Sequence, residues 1–316
     1  MPNATPMEPD WIDDQTVRVV CPAKINFALS VGPPREDGMH PIASWMVPID
    51  LCDTLTLRRA TQAGEPDTFD IAFAADAPAP QPIDWPLTSD LAYRAFDALE
   101  RVANRELPVH TTLEKRIPAG AGLGGGSADA AGMIVGLNAL FGLKMKGPAM
   151  MEVASSLGSD VMFQLAARQT TGGAIVTGTG EQIELLPTQP PTTLLLVLPP
   201  FGCSTPEVYR AFDTTLDPDS PEPADPRRVG QLARATAGPH MRCFNDLAKA
   251  ACVVQPGLHQ VLDQLSALGL SPYITGSGSA VFCVLDPGSA KRDTHTLLQQ
   301  VRQATGCAAL TTRTLG

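Results

Sequence analysis

Four groups of residues in this chain could carry chemistry. The first is Ile117–Ala131, which reads Ile-Pro-Ala-Gly-Ala-Gly-Leu-Gly-Gly-Gly-Ser-Ala-Asp-Ala-Ala. Val109–Arg116 before it is β-prone, and Ala128–Leu140 after it carries Ala, Met and Leu at helical spacing. The glycines therefore sit between a strand and a helix, where a backbone without Cβ atoms can bend sharply and approach a ligand. A helix beginning near Ser127 points free N–H groups and its positive dipole end at that turn, which suits a phosphate. The second group is Lys24 and Asn26, placed on one face of an apolar run by the period of two. The third is Asp160, in Gly158-Ser159-Asp160-Val161-Met162-Phe163. The fourth is a second glycine-rich turn at Tyr273–Phe282, with Thr275, Gly276, Ser277 and Gly278 at its centre.

Each group has a plainer reading. A Walker A loop needs Gly-Lys-Ser/Thr, and Gly126-Ser127-Ala128 has no lysine. Gly120, Gly122 and Gly125 satisfy Gly-x-Gly-x-x-Gly, but no second strand ending in an acid follows about 20 residues on. A flexible linker fits poorly between an apolar helix and a strand. Lys24 is read either as a gatekeeper charge on a strand edge or as an amine aimed at a phosphate or hydroxyl. Asp160 is read either as a helix N-cap or as a functional carboxylate. Tyr273–Phe282 alone is equally a plain hairpin.

The surrounding elements follow from pattern and punctuation. Thr16–Val31 reads as two strand-like halves joined at Pro22-Ala23, where proline breaks the ladder. Glu36-Asp37-Gly38 marks a turn, with His40 just beyond as a solvated loop residue. Asp53–Arg59 alternates as a half-buried strand. Thr61–Leu87 is a surface excursion holding one short strand near Phe69–Ala74. Thr88 or Ser89 caps a helix with Leu91, Ala95, Phe96 and Leu99 on one face, ending near Asn104. Gly147–Leu157 is a helix closed by Gly158. Gln169–Leu186 is a hairpin turning at Gly178–Gly180, and Thr192–Leu198 is a buried strand. Pro199–Gly202 is a loop, and Ser204 or Thr205 with Pro206 opens a helix. Leu216–Pro226 is a Pro/Asp-rich linker, Asn245-Asp246-Leu247 a helix start, Ser289–Gln303 a helix and Ala308–Thr312 a last strand.

At 316 residues and 44% apolar content the chain can build two domains of ordinary size. A net charge of −10 excludes a general nucleic-acid or membrane-surface binder, though not a nucleotide ligand held by local N–H groups and a lysine. Seven scattered cysteines without metal spacing read as reduced, buried thiols of a cytoplasmic chain. No apolar run reaches the ~18 residues of a membrane helix. Met1–Asp14 lacks the features of a signal peptide and reads as a loose extension.

Pro118-Ala119-Gly120-Ala121-Gly122-Leu123-Gly124-Gly125-Gly126-Ser127-Ala128 resembles the ATP loop of the GHMP kinases. Most members have two serines at Gly125-Gly126. The triple glycine is the form typical of the 4-diphosphocytidyl-2-C-methyl-D-erythritol kinases of the non-mevalonate isoprenoid pathway. Pro22-Ala23-Lys24-Ile25-Asn26 is similar to the near-terminal motif of that family, whose lysine lies at the reacting centre. Gly158–Phe163 is similar to its Gly-Ala-Asp-Val-Pro-Phe, which makes Asp160 the catalytic carboxylate, with Ser159 and Met162 as departures. Thr275–Phe282 is similar to its C-terminal glycine loop. The region of His40 resembles a Tyr-His pair that contacts cytosine, with Met39 in place of the tyrosine. Trp45 or Phe201 is then expected to supply the missing aromatic wall.

The resemblance implies an α+β, two-domain GHMP kinase fold. The N-terminal ATP-binding domain spans 1–167, related to ribosomal-protein S5 domain 2, with 1–15 a loose extension. The C-terminal α/β sandwich spans 168–316, with the site in the cleft between the domains. It implies ATP and Mg²⁺, with Ser127 as the metal's protein ligand, and a small-molecule substrate carrying a cytidine diphosphate group. Substrate contacts are expected from Asn26, His40, Phe201, Gly276, Ser277 and Gly278. Nucleic acid and membrane are excluded as partners, and the assembly is a monomer or homodimer. The rival readings are a GHMP kinase for a different alcohol and a non-catalytic nucleotide-binding module.

Overall fold

The computed structural model describes residues 8–60, 67–170, 173–216, 222–235, 241–285 and 294–315. Its contacts divide the chain into two compact units, neither of them a continuous segment. Unit 1 comprises 1–23, 51–117 and 124–169, and unit 2 comprises 24–50, 118–123 and 170–316.

The elements of unit 1 begin with β1 (Asp10–Asp13) and the first half of β2 (Thr16–Val31). The second half of β3 (Ile42–Arg59), β4 (Thr68–Phe73), α1 (Leu91–Ala103) and β5 (Val109–Lys115) follow. Then come α2 (Gly125–Leu140), α3 (Gly147–Leu157) and α4 (Ser159–Ala167). The strand order is β1-β2-β3-β5-β4, with β3 and β5 antiparallel from Thr54↔Glu114 to Arg59↔Val109. β4 joins β5 in parallel. The inward alternation Val17, Val19, Cys21 on β2 and Leu55, Leu57 on β3 forms one wall of the core, and α1 to α4 form the other.

α2 is buried almost all round, because small residues let its backbone lie close to the sheet. A Cβ at Gly132 would stand 2.4 Å from Cys21 Sγ, and one at Gly136 would stand 2.6 Å from Leu57 Cδ1.

Unit 2 holds the remaining halves of β2 and β3 and the hairpin β6 (Ala174–Gly178) and β7 (Gln182–Leu185). β8 (Thr193–Leu198), α5 (Thr205–Asp213), α6 (Pro226–Arg234), β9 (Phe244–Asn245) and α7 (Ala248–Val254) come next. α8 (Gly257–Ala267), β10 (Pro272–Ile274), β11 (Val281–Val284), α9 (Thr294–Thr305) and β12 (Ala308–Arg313) complete it. β6 pairs with β3, and β9 runs parallel to β2 at Ala28 and Leu29. A separate antiparallel sheet has the order β10-β11-β8-β12, covered by α5, α7, α8 and α9. No helix among the described residues is long and apolar enough to cross a membrane.

Most elements lie where the pattern places them, and four expectations are corrected. Residues 10–13 of the supposed loose extension pair with β2 as an edge strand. Thr16–Val31 is one sixteen-residue strand, because Pro22 lies where its missing N–H has no ladder to serve. The N-cap of α1 is Asp90, whose carboxylate accepts from the N–H groups of Ala92 and Tyr93, while Thr88 and Ser89 form a 3-10 turn. α2 begins at Gly125, two residues before Ser127, so Gly125 and Gly126 belong to its first turn. The linker at 217–221 and the first residues of the expected 289–303 helix lie outside the described residues.

Close packing of α2 has a measurable consequence. Gly136→Ala should lose about 1–3 kcal/mol through overpacking against Leu57. Gly147→Ala, where an added Cβ meets nothing within 4 Å, should be neutral or gain up to about 1 kcal/mol. Urea unfolding of the two variants checks the contrast.

Candidate active site

In unit 2, Lys24 is 3% exposed, which excludes a solvated gatekeeper. Its Nζ donates to Asn26 Oδ1 at 2.9 Å, as the shared strand face requires. Asn26 is fixed in turn, because its Nδ2 donates to Ser44 Oγ at 2.8 Å and its backbone N–H to Thr275 Oγ1 at 2.9 Å. Thr275 is fully buried, and its hydroxyl returns a bond to Asn26 Oδ1 at 3.2 Å. The lysine is therefore held by a satisfied polar network and not by chance burial.

The two glycine loops meet beside it. Lys24 N–H donates to Leu123 O at 2.9 Å, and Ala280 N–H donates to Ala121 O at 3.0 Å. Cys203 N–H donates to Gly120 O at 3.1 Å. Gly122 has φ +74°, and a Cβ there would lie 2.3 Å from Thr275 O and 3.0 Å from Gly278 O. A Cβ at Gly276 would lie 3.4 Å from Lys24 Nζ. Segments 118–123 and 275–280 thus form one double loop over the lysine. Ser277 Oγ and Thr205 Oγ1 share a hydrogen bond of 2.8 Å, tying this loop to α5. Asn245, read from sequence as a helix start only, also holds the loop, since its Nδ2 donates to Ile274 O and Gly276 O.

In unit 1, α2 opens with Gly124 as a left-handed cap at φ +69°. Its first helical bond runs from Ala128 N–H to Gly124 O, so the N–H groups of Gly125, Gly126 and Ser127 precede the internal ladder. A Cβ at Gly125 would strike Ile117 at 2.8 Å, whereas one at Gly126 would make ordinary contact with Leu91 Cδ1 at 3.6 Å. Gly122 and Gly125 are therefore required by protein packing. Gly126 alone of the 125–126 pair has room for a side chain.

Asp160 is half-buried in the first turn of α4, whose cap is Gly158, so the N-cap reading does not hold.

Unit 1 also holds a buried cluster that the motif did not reveal. Lys115 Nζ donates to Asp53 Oδ2 at 2.5 Å and also to Asp129 Oδ2. Asp53 Oδ1 accepts from the N–H groups of Arg116 and Ile117, the latter at 2.8 Å. Asp53 thereby fixes the last residues before Pro118, while Asp129 sits on α2 just after the loop. Burial pulls the Lys115 pKa down, but Asp129 and Asp53 more than offset it and hold the amine charged. Burial pushes the Asp129 carboxyl well above the usual carboxylate range, against the pull of Lys115. Its Oδ1 has no partner among the described residues. Three ionisable residues on three separate elements give no local signal of this contact.

His40 is not a solvated loop residue, since its side chain is 7% exposed. Its Nδ1 faces Gly32 O at 2.9 Å, its Nε2 lies 3.4 Å from Asp213 Oδ1, and its ring lies 4.9 Å from that of Tyr209. Met39 is 53% exposed. Trp45 is 2% exposed and packed 4.7 Å from Phe27, so it cannot wall a ligand. Phe201 is half-buried on the loop before α5. Tyr209, missed in the sequence, is the aromatic beside His40; only the α5 fold brings it there. None of the seven cysteines is in a disulfide, and burial raises the thiol pKa of Cys21, Cys203, Cys243, Cys252, Cys283 and Cys307, with Cys203 pushed up to about 11.

Comparison with known proteins places the chain among characterised relatives. Residues 90–168 match the family model for the GHMP kinases N terminal domain. The chain is 33% identical over 284 residues to 4-diphosphocytidyl-2-C-methyl-D-erythritol kinase of Pseudarthrobacter chlorophenolicus, covering 87% of each. It is 36% identical over 264 residues to the enzyme of that name from Polaromonas naphthalenivorans, covering 84% of each. A crystal structure of 4-(cytidine 5'-diphospho)-2C-methyl-D-erythritol kinase superposes with a TM-score of 0.70 at 31% identity, covering 94% of this chain and 98% of that one.

Three outcomes follow from the packing. Asp53→Ala strands Lys115 and two backbone N–H groups and should cost about 3–5 kcal/mol, read by chemical denaturation. Because Asp129 holds its proton in the folded chain above the ~4 at which an unfolded carboxyl releases it, its contribution to stability falls as pH rises from about 4. Asp129→Asn should flatten that slope in denaturation curves taken at several pH values. Gly122→Ala should impair folding and nucleotide binding, whereas Gly126→Ala should fold with the wild-type melting temperature.

Proposed function

The chain belongs to the 4-diphosphocytidyl-2-C-methyl-D-erythritol kinase family of GHMP kinases, and on that premise we propose that it transfers the ATP γ-phosphate to the 2-hydroxyl of 4-diphosphocytidyl-2-C-methyl-D-erythritol. The reading is supported best by one observation. A buried, charged side chain, Lys24, is clamped by Asn26 directly beneath two glycine loops that are bonded to each other. A structural role alone does not require a lysine there.

Phosphoryl transfer needs the donor held, its charge neutralised and the acceptor hydroxyl set in line, with little covalent help from the protein. We assign Pro118–Ala128 to ATP, with the N–H groups at the start of α2 directed to its phosphates. Lys24 neutralises charge on the transferred group and lowers the acceptor's pKa. Asp160 accepts or orients the hydroxyl proton. Gly276, Ser277 and Gly278 face the substrate's diphosphate. His40 and Asn26 are assigned to the substrate, with Phe201 or Tyr209 as the aromatic beside the cytosine in place of the family tyrosine.

Mg²⁺ fits the donor set. A hydroxyl oxygen in the first turn of α2 is a donor that a hard cation accepts. Ser127, half-buried in the first turn of α2, would hold the ion, which would neutralise phosphate oxygens when bound. The halves 1–167 and 168–316 remain our division of the family fold, and we place the enzyme in the cytoplasm.

A turnover assay with ATP and three alcohols tests the assignment. The diphosphocytidyl alcohol should react, and homoserine and phosphomevalonate should not. Lys24→Ala and Asp160→Asn should each lower kcat on the order of 10²-fold or more. Wild-type rates in both variants would overturn the roles given to Lys24 and Asp160, and ATP binding with no turnover of any alcohol would leave a nucleotide-binding module.

A further inference from the structure

α4 and its C-cap place polar residues at i, i+4 and i+8: Asp160 and Gln164 in the helix and Arg168 at the cap. Gln164 and Arg168 are buried, at 2% and 7% exposure. Gln164 Nε2 donates to Pro22 O at 3.0 Å, and Arg168 Nη1 donates to Val20 O at 3.1 Å. Both acceptors are backbone carbonyls of β2, two residues apart. Among the described residues, β1 reaches along this strand only to Arg18, so these carbonyls have no strand to serve. Arg168 makes little else of its guanidinium, for Nε and Nη2 have no partner among the described residues.

The spacings agree. Four residues of helix rise about 6 Å, and two residues of strand rise about 6.6–6.8 Å. α4 therefore runs antiparallel to β2, with its polar stripe in step with alternate strand residues. Apolar packing alone tolerates a slip from one ridge to the next, whereas two hydrogen bonds to fixed carbonyls admit a single register. A slip of one turn would move Asp160 by about 5.4 Å. Next in the strand's alternation after Val20 and Pro22 is Lys24.

We propose that Gln164 and Arg168 are positioning residues for phosphoryl transfer: they fix the register of α4 along β2 and so the place of the Asp160 carboxylate. The inference rests on the kinase reading of Asp160. It concerns neither ATP affinity nor substrate affinity, and it acts only through that carboxylate.

The test is steady-state kinetics on Gln164→Met, Arg168→Met and Arg168→Lys, alone and combined with Asp160→Asn. Circular dichroism and melting temperature monitor folding. Gln164→Met should lower kcat on the order of 10- to 100-fold, the scale of a misplacement near 1 Å, with both KM values unchanged. Arg168→Lys should recover most of the rate lost in Arg168→Met. In the Asp160→Asn background, neither methionine variant should lower the residual rate further. A folded Gln164→Met at wild-type kcat, or an undiminished loss in the Asp160→Asn background, would overturn the proposal. So would failure of both methionine variants to fold, which would make the pair structural. An Asp160→Asn enzyme at full rate would overturn the reading of Asp160 and this inference together. An inactive Asp160→Asn enzyme beside a fully active Gln164→Met would overturn this inference alone.

Discussion

One edge of β2 governs where the chemistry-bearing segments can go. Among the described residues, β1 pairs with this strand up to Arg18, and β9 joins it only at Ala28. Between these points backbone groups need partners from elsewhere, because buried N–H and C=O groups are costly to leave unpaired. In unit 1 the carbonyls of Val20 and Pro22 take donors from α4. In unit 2 the N–H groups of Lys24 and Asn26 donate to the loop at Leu123 and to Thr275. The segments bearing Asp160, the first glycine loop and the second glycine loop are each tied to this edge of β2, where no strand pairs among the described residues. Proline at 22 is tolerated there and helps keep another strand away.

The glycines serve two purposes that a motif does not separate. Gly122 stands so close to Thr275 and Gly278 that no side chain fits, and its left-handed backbone adds a second reason. Gly125 is closed by Ile117. These positions let one piece of protein backbone approach another. Gly124, as the left-handed cap, turns the chain into α2, and it is the helix start that presents N–H groups to an anion. The loop's shape is thus set by its neighbours before any ligand arrives, which keeps the cost of ordering it low.

Its two ends are held by the Asp53–Lys115–Asp129 cluster. Such buried ion groups do not by themselves favour folding, since desolvation consumes most of the Coulombic gain. Their value here is directional: Asp53 pins the backbone of Arg116 and Ile117, and Lys115 links that point to α2 through Asp129.

The residues alone were enough for the strand–glycine loop–helix unit, the helices 147–157 and 205–213, the hairpin at 174–185 and the lysine and asparagine on one face. Those features arise from local periodicity and from glycine and proline, whose effects act within a few residues. The family likeness was legible for the same reason, because its motifs are short and contiguous. Sequence went wrong at helix starts, where neighbouring candidates compete for the cap, and where a distant partner decides. Residues 10–13 became a strand only because β2 offers an edge. Asp90 won the cap of α1 over Thr88 and Ser89. Asp160 ceded its cap to Gly158, and Trp45 was drawn into the core by Phe27. The pairing of Asp53, Lys115 and Asp129, the meeting of His40 with Tyr209 and the bonds from Gln164 and Arg168 to β2 span many residues of chain. No spacing rule reaches that far, because the energy of such contacts exists only once the sheets and helices have closed.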